Sequence, residues 1–392
     1  MTPNARAFDD WIRGRFIDIN TEIESLYAAR DDRAATDGCG DALKEALVSE
    51  GRELIIPLLA EGNTDEGFEN AFDVLGNVGF YMAACRRHGI TDPDREDRSP
   101  LVEASALALH LGASLGVTPR FATSHLSTHN LAIDGAYKSF THLEDEYLFL
   151  DYNTRAIFAY KQAADALVRI LPIGMSHPVA YDLLVSAERA LKDVARFNDS
   201  LFQKLDVDQF FYSVRPYYKP FRVGLHVYRG ANAGDFAGIN EVDLLLGLCQ
   251  ANDASYSQLL VDKFLYMMPA DQNRLRDTMR QQSLLDDVLQ HIDSSSDRSW
   301  FRSNASALLR VCDAHGAAAS QHHDQLVSRF IDKPSGDLSE SNLKSVTASG
   351  PPLPVLLKGL EKLRDLRQAA PRDDIPSRHA DLGRLRAAVG NG

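Results

Sequence analysis

Residues 299–331, SWFRSNASALLRVCDAHGAAASQHHDQLVSRFI, decide the fold class, because their apolar and small side chains recur every three or four positions. Residues at this spacing share one face of an α-helix, and here that face carries Leu308, Cys312, Ala319 and His323. The same spacing recurs through most of the chain, whereas strand-like alternation is rare and short. The sequence therefore predicts an all-α protein.

Two long irregular stretches, 214–239 and 332–352, interrupt this helical pattern, and long loops of this kind often carry function. The helices predicted after residue 140 span about 143–172, 178–206, 240–250, 254–267, 270–292, 299–332 and 351–368. We expect a smaller N-terminal helical part over residues 1–135, a larger helical domain over 136–370, and a loosely held tail over 371–392.

The composition is that of an ordinary globular protein, with 392 residues of which 44% are hydrophobic and 25% charged. A formal net charge of −13 disfavours nucleic acid and acidic membranes as partners. The four cysteines are widely spaced and form no Cys-x-x-Cys pair, which disfavours disulfides and structural zinc. Neither a signal peptide nor an apolar run long enough to span a membrane is apparent, so we expect a cytoplasmic protein.

The adjacent histidines of the 299–331 segment differ in their predicted surroundings. His323 lies within the apolar stripe, whereas His322 is turned about 100° around the helix toward polar Gln325, where we expect a solvated or supporting role. A buried neutral imidazole can ligate haem iron, and Gly316 and Ala319 would leave a flat macrocycle room beside the helix. Periodicity alone favours a core histidine bonded to a carbonyl, so both interpretations stay open at this point.

The segment Phe210–Gly224 packs six aromatic rings and three cations into fifteen residues. An arginine fork suits a carboxylate and the rings suit a flat aromatic ligand, although a helix end with surface Tyr and Arg would have the same composition. The small residues of 230–238 would let backbone approach a ligand closely or form a flexible turn. They lack the Gly-x-Gly-x-x-Gly pattern of a dinucleotide site.

Two further stretches carry histidines, Thr123–Asn130 and Thr141–Glu146. A non-haem metal site could be drawn from them, but the His-Glu-x-x-His spacing is missing and a solvated loop is favoured. A serine hydrolase is disfavoured because the sequence has no Gly-x-Ser-x-Gly elbow.

Several of these motifs together resemble one family of haem enzymes. The segment His323–Ile331 is similar to the stretch that carries the proximal haem ligand in indoleamine 2,3-dioxygenases, and Phe210–Arg215 is similar to that family's Phe-Phe-x-x-x-Arg. Residues 230–234 resemble its small-residue loop over the haem, and 347–350 resemble its mobile substrate cap. Arg215–Gly224 is similar, nearly residue for residue, to the PrnB branch of pyrrolnitrin formation.

The resemblance implies an indoleamine 2,3-dioxygenase-like helical fold that binds haem b, with the following site residues. They are the distal catalytic residues Thr123, Ser124 and His125; the substrate-binding residues Phe210, Phe211, Arg215, Tyr218, Ser349 and Gly350; the cofactor-binding residues Arg222, Asn232, Ala233, Gly234 and Ala319; and the iron ligand His323. The chain departs from both relatives at Ser320, where they carry an arginine able to reach a propionate; Arg222 or Arg229 could substitute. Thr123 stands where the dioxygenases have a distal tyrosine.

The resemblance also implies a reaction. We expect a haem-dependent oxygenase that oxidises and rearranges tryptophan or a substituted, for example halogenated, tryptophan in secondary metabolism, with dioxygen and an electron donor as further partners. Two alternatives remain: cleavage of the indole ring to N-formylkynurenine, and a non-catalytic haem-binding or sensor protein.

Overall fold

The computed structural model describes residues 1–63, 65–133, 135–231, 234–325 and 353–390. It confirms the predicted all-α class. The helices are α1 (Pro3–Arg13), α2 (Arg15–Ala28), α3 (Asp41–Glu61), α4 (Phe68–Arg87), α5 (Val102–Leu115), α6 (Thr123–Leu126), α7 (Glu144–Val168), α8 (Pro178–Lys204), α9 (Val207–Gln209), α10 (Ala237–Leu245), α11 (Ala254–Phe264), α12 (Pro269–Thr278), α13 (Leu284–Gln290), α14 (Ile292–Ser295), α15 (Ser299–Gln321), α16 (Leu353–Arg367) and α17 (His379–Gly390).

The helix ends follow from local sequence. The Thr2 side chain accepts from the Ala5 backbone N–H ahead of Pro3, and the Asp253 and Ser283 side chains cap α11 and α13 in the same way. Helix α5 ends at Gly116, whose φ of +68° favours glycine. At these helix ends the capping residues satisfy backbone groups that have no partner within the helix.

The irregular stretch 214–239 contains more structure than the sequence indicated. A π-helical turn, Phe210–Val214, and a 3-10 turn, Arg215–Tyr218, follow α9. Strand β1 (Phe221–Val223) then pairs antiparallel with β2 (His226–Tyr228), with Arg222 opposite Val227. This hairpin is the only sheet among the described residues.

Two large hydrophobic cores hold the helices together. The first joins α1–α5 to later residues such as Phe140, Tyr217 and Phe221, so it crosses the expected division at residue 135. The second joins α7, α8 and α15 to α17, where Leu382 and Leu385 are buried. The tail is therefore packed into the second core, contrary to the expectation of a loosely held segment.

Helix α7 carries residues of both cores, with Leu150 in the first and Ile157 in the second. Residues of this 25-residue helix also line both pockets of the candidate site described below. Within the described residues, none of the helices combines the length and the apolar character that crossing a membrane would require.

Candidate functional site

The largest feature of the site is a cavity of about 520 Å³ between α7, α11, α16 and the end of α15. Its volume lies within the range of about 300–1,000 Å³ that is typical of small-molecule and cofactor sites. Apolar side chains such as Ile157, Leu259 and Leu363 form much of its wall. The small residues Ala318 and Ala319 keep the α15 side of the wall flat.

The adjacent histidines His322 and His323 both line this cavity. Helix α15 ends at Gln321, and residues 322–325 continue as a wider π-helical turn, a feature frequent at functional sites. His322, for which a solvated or supporting role was expected, is half-buried and lines the cavity beside His323. Burial, assisted by the nearby charge of Arg367, lowers the pKa of the His322 imidazole to about 4.

His323 has polar contacts at one ring nitrogen. Its Nδ1 lies 3.2 Å from Asp324 Oδ1 and 3.4 Å from Arg364 Nη1. No hydrogen bond within the described part of the chain involves its Nε2, so that nitrogen can serve as a metal ligand. A carboxylate behind Nδ1 is the support that a ligating histidine commonly has.

Four cationic side chains line the cavity, namely Arg229, Lys263, Arg364 and Arg367. Arg229 forms two hydrogen bonds with Asp235, at 2.8 and 2.9 Å, and donates to the Asp262 carbonyl. Arg229 therefore has a place in the cavity wall, as the sequence suggested for a residue replacing the arginine missing at Ser320. The Ser320 hydroxyl accepts from the side-chain amide of Gln368.

A buried ionic network supports the wall from behind, and sequence analysis missed it. Arg367 donates twice to the Asp243 carboxylate, at 2.8 Å each, and Asp243 also contacts His315 Nε2 at 2.7 Å and accepts from Tyr256 Oη at 2.8 Å. The Arg367 guanidinium and these hydrogen bonds hold the pKa of Asp243 well below its usual range, despite the opposing effect of burial. The network links α10, α11, α15 and α16.

A second, smaller pocket of about 30 Å³ lies one turn earlier along α7. Its lining includes Thr123, Phe149, Tyr218 and Ala231. Because Asn153 lines this pocket and Ala156 lines the large cavity, the two spaces follow each other along the same helix.

Of the predicted substrate residues, Tyr218 lines this pocket and Phe210 packs against its lining residue Phe149. The Phe149 ring centroid lies 5.1 Å from that of Phe210 and 5.6 Å from that of Tyr218, and the Arg215 guanidinium lies 5.1 Å from the Phe211 ring. Arg215 is 7% exposed, and among the described residues its Nη1 and the Tyr218 hydroxyl have no hydrogen-bond partner. Burial lowers the pKa of Arg215 to about 10. Buried donors without acceptors at this position fit an anionic or polar ligand group.

The three predicted distal residues have different surroundings. Thr123 lines the small pocket, and the buried Ser124 hydroxyl has no hydrogen-bond partner within the described ranges. His125 is committed to the fold, because its Nδ1 accepts from the Ala122 N–H and its Nε2 lies 2.9 Å from the Phe72 carbonyl oxygen, while its ring stacks on Phe72. The structure thus corrects the distal role expected for His125.

The residues predicted to bind the cofactor lie in different parts of the structure. Ala319 and Gly234 line the large cavity. Arg222 lies instead on β1 and donates to the carbonyls of Leu225 and Pro93, away from the cavity, so the structure does not support the role expected for it. Asn232, Ala233, Ser349 and Gly350 lie outside the described residues.

Arg120 connects the turn before α6 with the backbone that leads to the cavity. Its fully buried guanidinium donates to the carbonyls of Phe121, Tyr228 and Arg229 and stacks on Phe221. This interaction fixes the start of the 230–234 loop relative to the small pocket. No signal in the sequence distinguished Arg120 from a surface arginine.

Among the described residues, no three His, Cys, Asp or Glu side chains gather as ligands of a metal ion. The cavity instead offers histidine from one element only, at the end of α15. Residues 2–389 match the family model of the monodechloroaminopyrrolnitrin synthase PrnB. Because this match extends over nearly the whole chain, the protein belongs to the PrnB enzyme family.

Proposed function

We propose that the protein is a haem-dependent oxygenase acting on tryptophan or a substituted tryptophan, with haem b in the large cavity and His323 as its iron ligand. The observation that carries the proposal is the cavity itself, in which apolar walls, two adjacent histidines and four cations surround about 520 Å³. The apolar walls and flat α15 side suit a macrocycle, and the cations suit its propionates. Membership of the PrnB family supports the same reaction class.

When bound, haem supplies the oxygen chemistry, while the protein supplies binding and orientation. Asp324 contacts Nδ1 of His323, so Nε2 would be the nitrogen that holds the iron. The Asp243–Arg367 pair holds α16 against α10. Apolar side chains from α7 and α11 would exclude water from a macrocycle bound in the cavity.

The substrate would lie toward the small pocket. The buried Nη1 of Arg215 has no hydrogen-bond partner in the described part of the chain, which suits the carboxylate of an amino acid. The rings of Phe210, Phe211 and Phe149 suit an indole. Thr123, one of three hydroxyl-bearing residues that line this pocket with Ser127 and Tyr218, would contact the substrate or dioxygen.

Absorbance spectra of protein produced with haem supply test the cofactor and its ligand. Wild type should show a Soret band that His323→Ala removes, while His322→Ala and the exposed control His142→Ala retain it. Loss of the band in His322→Ala alone would move the iron ligand to His322. A wild type without any Soret band would refute the haem proposal.

Turnover separates this proposal from its alternatives. Anaerobically reduced holoprotein should consume oxygen with tryptophan or 7-chlorotryptophan, and mass spectrometry of the product distinguishes a rearranged indole from N-formylkynurenine. The full engagement of both His125 nitrogens favours one competing candidate, a non-catalytic haem protein, since it removes one distal proton donor. That candidate predicts a normal Soret band with no consumption of either substrate.

A further inference from the structure

Lys263 differs from the other three cations of the large cavity in its partners. Each arginine has a carboxylate at hydrogen-bond distance: Asp235 for Arg229, Asp365 for Arg364 and Asp243 for Arg367. The Lys263 ammonium donates to the Gly234 carbonyl at 3.1 Å, and no carboxylate in the described residues comes within ion-pair distance of it. An ammonium has three donors, so two of them are left for a ligand.

The surroundings of Lys263 make the lack of a carboxylate partner unfavourable for its charged form. Its side chain is half-buried on the cavity wall, and desolvation there lowers the pKa of the ammonium to about 8. The charges of Arg367 and Arg229 act in the same direction, whereas Asp235 and Asp243 oppose them. A buried cation without a counter-ion is stabilised strongly when an anion enters its site.

We propose that Lys263 binds a carboxylate of the molecule that occupies the large cavity. This inference rests on the proposed function, under which the carboxylate is a haem propionate. The amino-acid carboxylate is a second source of the same chemistry. Its predicted partner, Arg215, does not line the large cavity that Lys263 lines, which favours the propionate.

The test compares wild type with Lys263→Met, Lys263→Arg and the surface control Lys192→Met, whose lysine is 67% exposed. The probes are metal-free protoporphyrin IX, which needs no iron ligand, and its dimethyl ester, which lacks the negative charges. Affinities come from fluorescence titration, and the rate of haem loss to apomyoglobin provides a second readout. Circular dichroism and thermal melting monitor folding.

We expect Lys263→Met to bind the diacid roughly 10- to 100-fold more weakly than wild type, the range for a hydrogen bond to a charged group. The dimethyl ester should bind both proteins equally, and Lys263→Arg and Lys192→Met should resemble wild type. Wild type itself should prefer the diacid by a similar factor. Lys263→Gln, which keeps a polar head group but no charge, makes the same comparison if the methionine variant fails to fold.

Tryptophan and its amide distinguish the two sources of the carboxylate. A loss confined to tryptophan would assign Lys263 to the substrate and leave the carboxylate inference intact. Unchanged binding of both the diacid and tryptophan by a folded Lys263→Met would overturn the inference while leaving the haem proposal untouched. A wild type that binds tryptophan but no macrocycle would refute the haem proposal, and the tryptophan arm would still test Lys263.

Discussion

His125 should make the protein sensitive to acid, and replacing it should remove a defined part of that sensitivity. Its ring is buried against α4, where it stacks on Phe72 and where an added Cβ on Gly76 would lie 2.5 Å from it. The Ala122 N–H donates to Nδ1, so the ring proton lies on Nε2 and is donated to the Phe72 carbonyl. Both nitrogens are therefore satisfied only in the neutral ring.

The magnitude follows from the pKa of this ring in the two states. Burial lowers the pKa of His125 to about 3 in the folded protein, whereas in the unfolded chain a histidine titrates near about 6.5. The folded-state pKa is depressed, so the stability gained from the neutral ring is present above about pH 6.5 and is lost as the pH falls toward 3. At pH 5 the loss amounts to about 2 kcal/mol, from 1.36 kcal/mol per pH unit.

The assay is urea unfolding of wild type and His125→Gln at pH 8 and pH 5, monitored by fluorescence of Trp11, which belongs to the same core. Glutamine can accept from Ala122 and donate to Phe72 but does not titrate. We expect the drop in unfolding free energy between the two pH values to be about 2 kcal/mol smaller in the variant. His142→Gln, at an exposed site, should show the wild-type drop. An equal drop in His125→Gln and wild type would refute the reasoning.

Two substitutions test the packing around the site. Arg367→Met would leave the Asp243 carboxylate buried without its counter-ion, and chemical denaturation should show that the free energy of unfolding falls by about 3–5 kcal/mol. Arg386→Met, in the exposed pair with Asp313, should lower it by only about 0–1 kcal/mol. Similar losses in the two variants would contradict a buried Asp243–Arg367 pair. Gly79→Ala would place a Cβ 2.3 Å from the Phe121 backbone nitrogen, which cannot yield as a side chain can. It should lower stability by about 1–3 kcal/mol or more, whereas Gly383→Ala, with open space around it, should raise stability slightly. A Gly79→Ala protein as stable as wild type would show that α4 and the Phe121 segment do not pack this closely.

Much of the fold could be predicted from sequence because helical periodicity is local. The helix expected over 178–206 is observed as Pro178–Lys204, and that expected over 254–267 as Ala254–Phe264. The hairpin at 221–228 was missed because its three-residue strands are too short to show alternation. The tail was misjudged because its charged residues conceal Leu382 and Leu385, which face the second core.

The site was less predictable because its polar partners are far apart in the chain. Asp243 pairs with Arg367, which lies 124 residues later, and with His315, 72 residues later. Periodicity can place each residue on a helix face, but it cannot state which faces meet. Lys263 and Arg120 were missed for the same reason. Each differs from a surface lysine or arginine only in the residues that pack around it, and those residues are distant in the sequence. Motif resemblance, by contrast, singled out Ala319, Gly234 and His323, all of which line the cavity.

The choice between the two histidines depends on what lies behind each ring rather than on helical spacing. Adjacent residues of a regular helix point about 100° apart, yet both rings reach the cavity because the helix widens at residues 322–325. A ligating Nε2 requires the proton on Nδ1, and a carboxylate acceptor favours that tautomer while a guanidinium donor opposes it. His323 has both, with Asp324 at 3.2 Å and Arg364 at 3.4 Å. Iron at Nε2 would therefore strengthen the Asp324 contact and weaken the Arg364 contact, which would free Arg364 for an anion in the cavity. His322 has no such carboxylate among the described residues, and its lowered pKa records only burial and neighbouring positive charge.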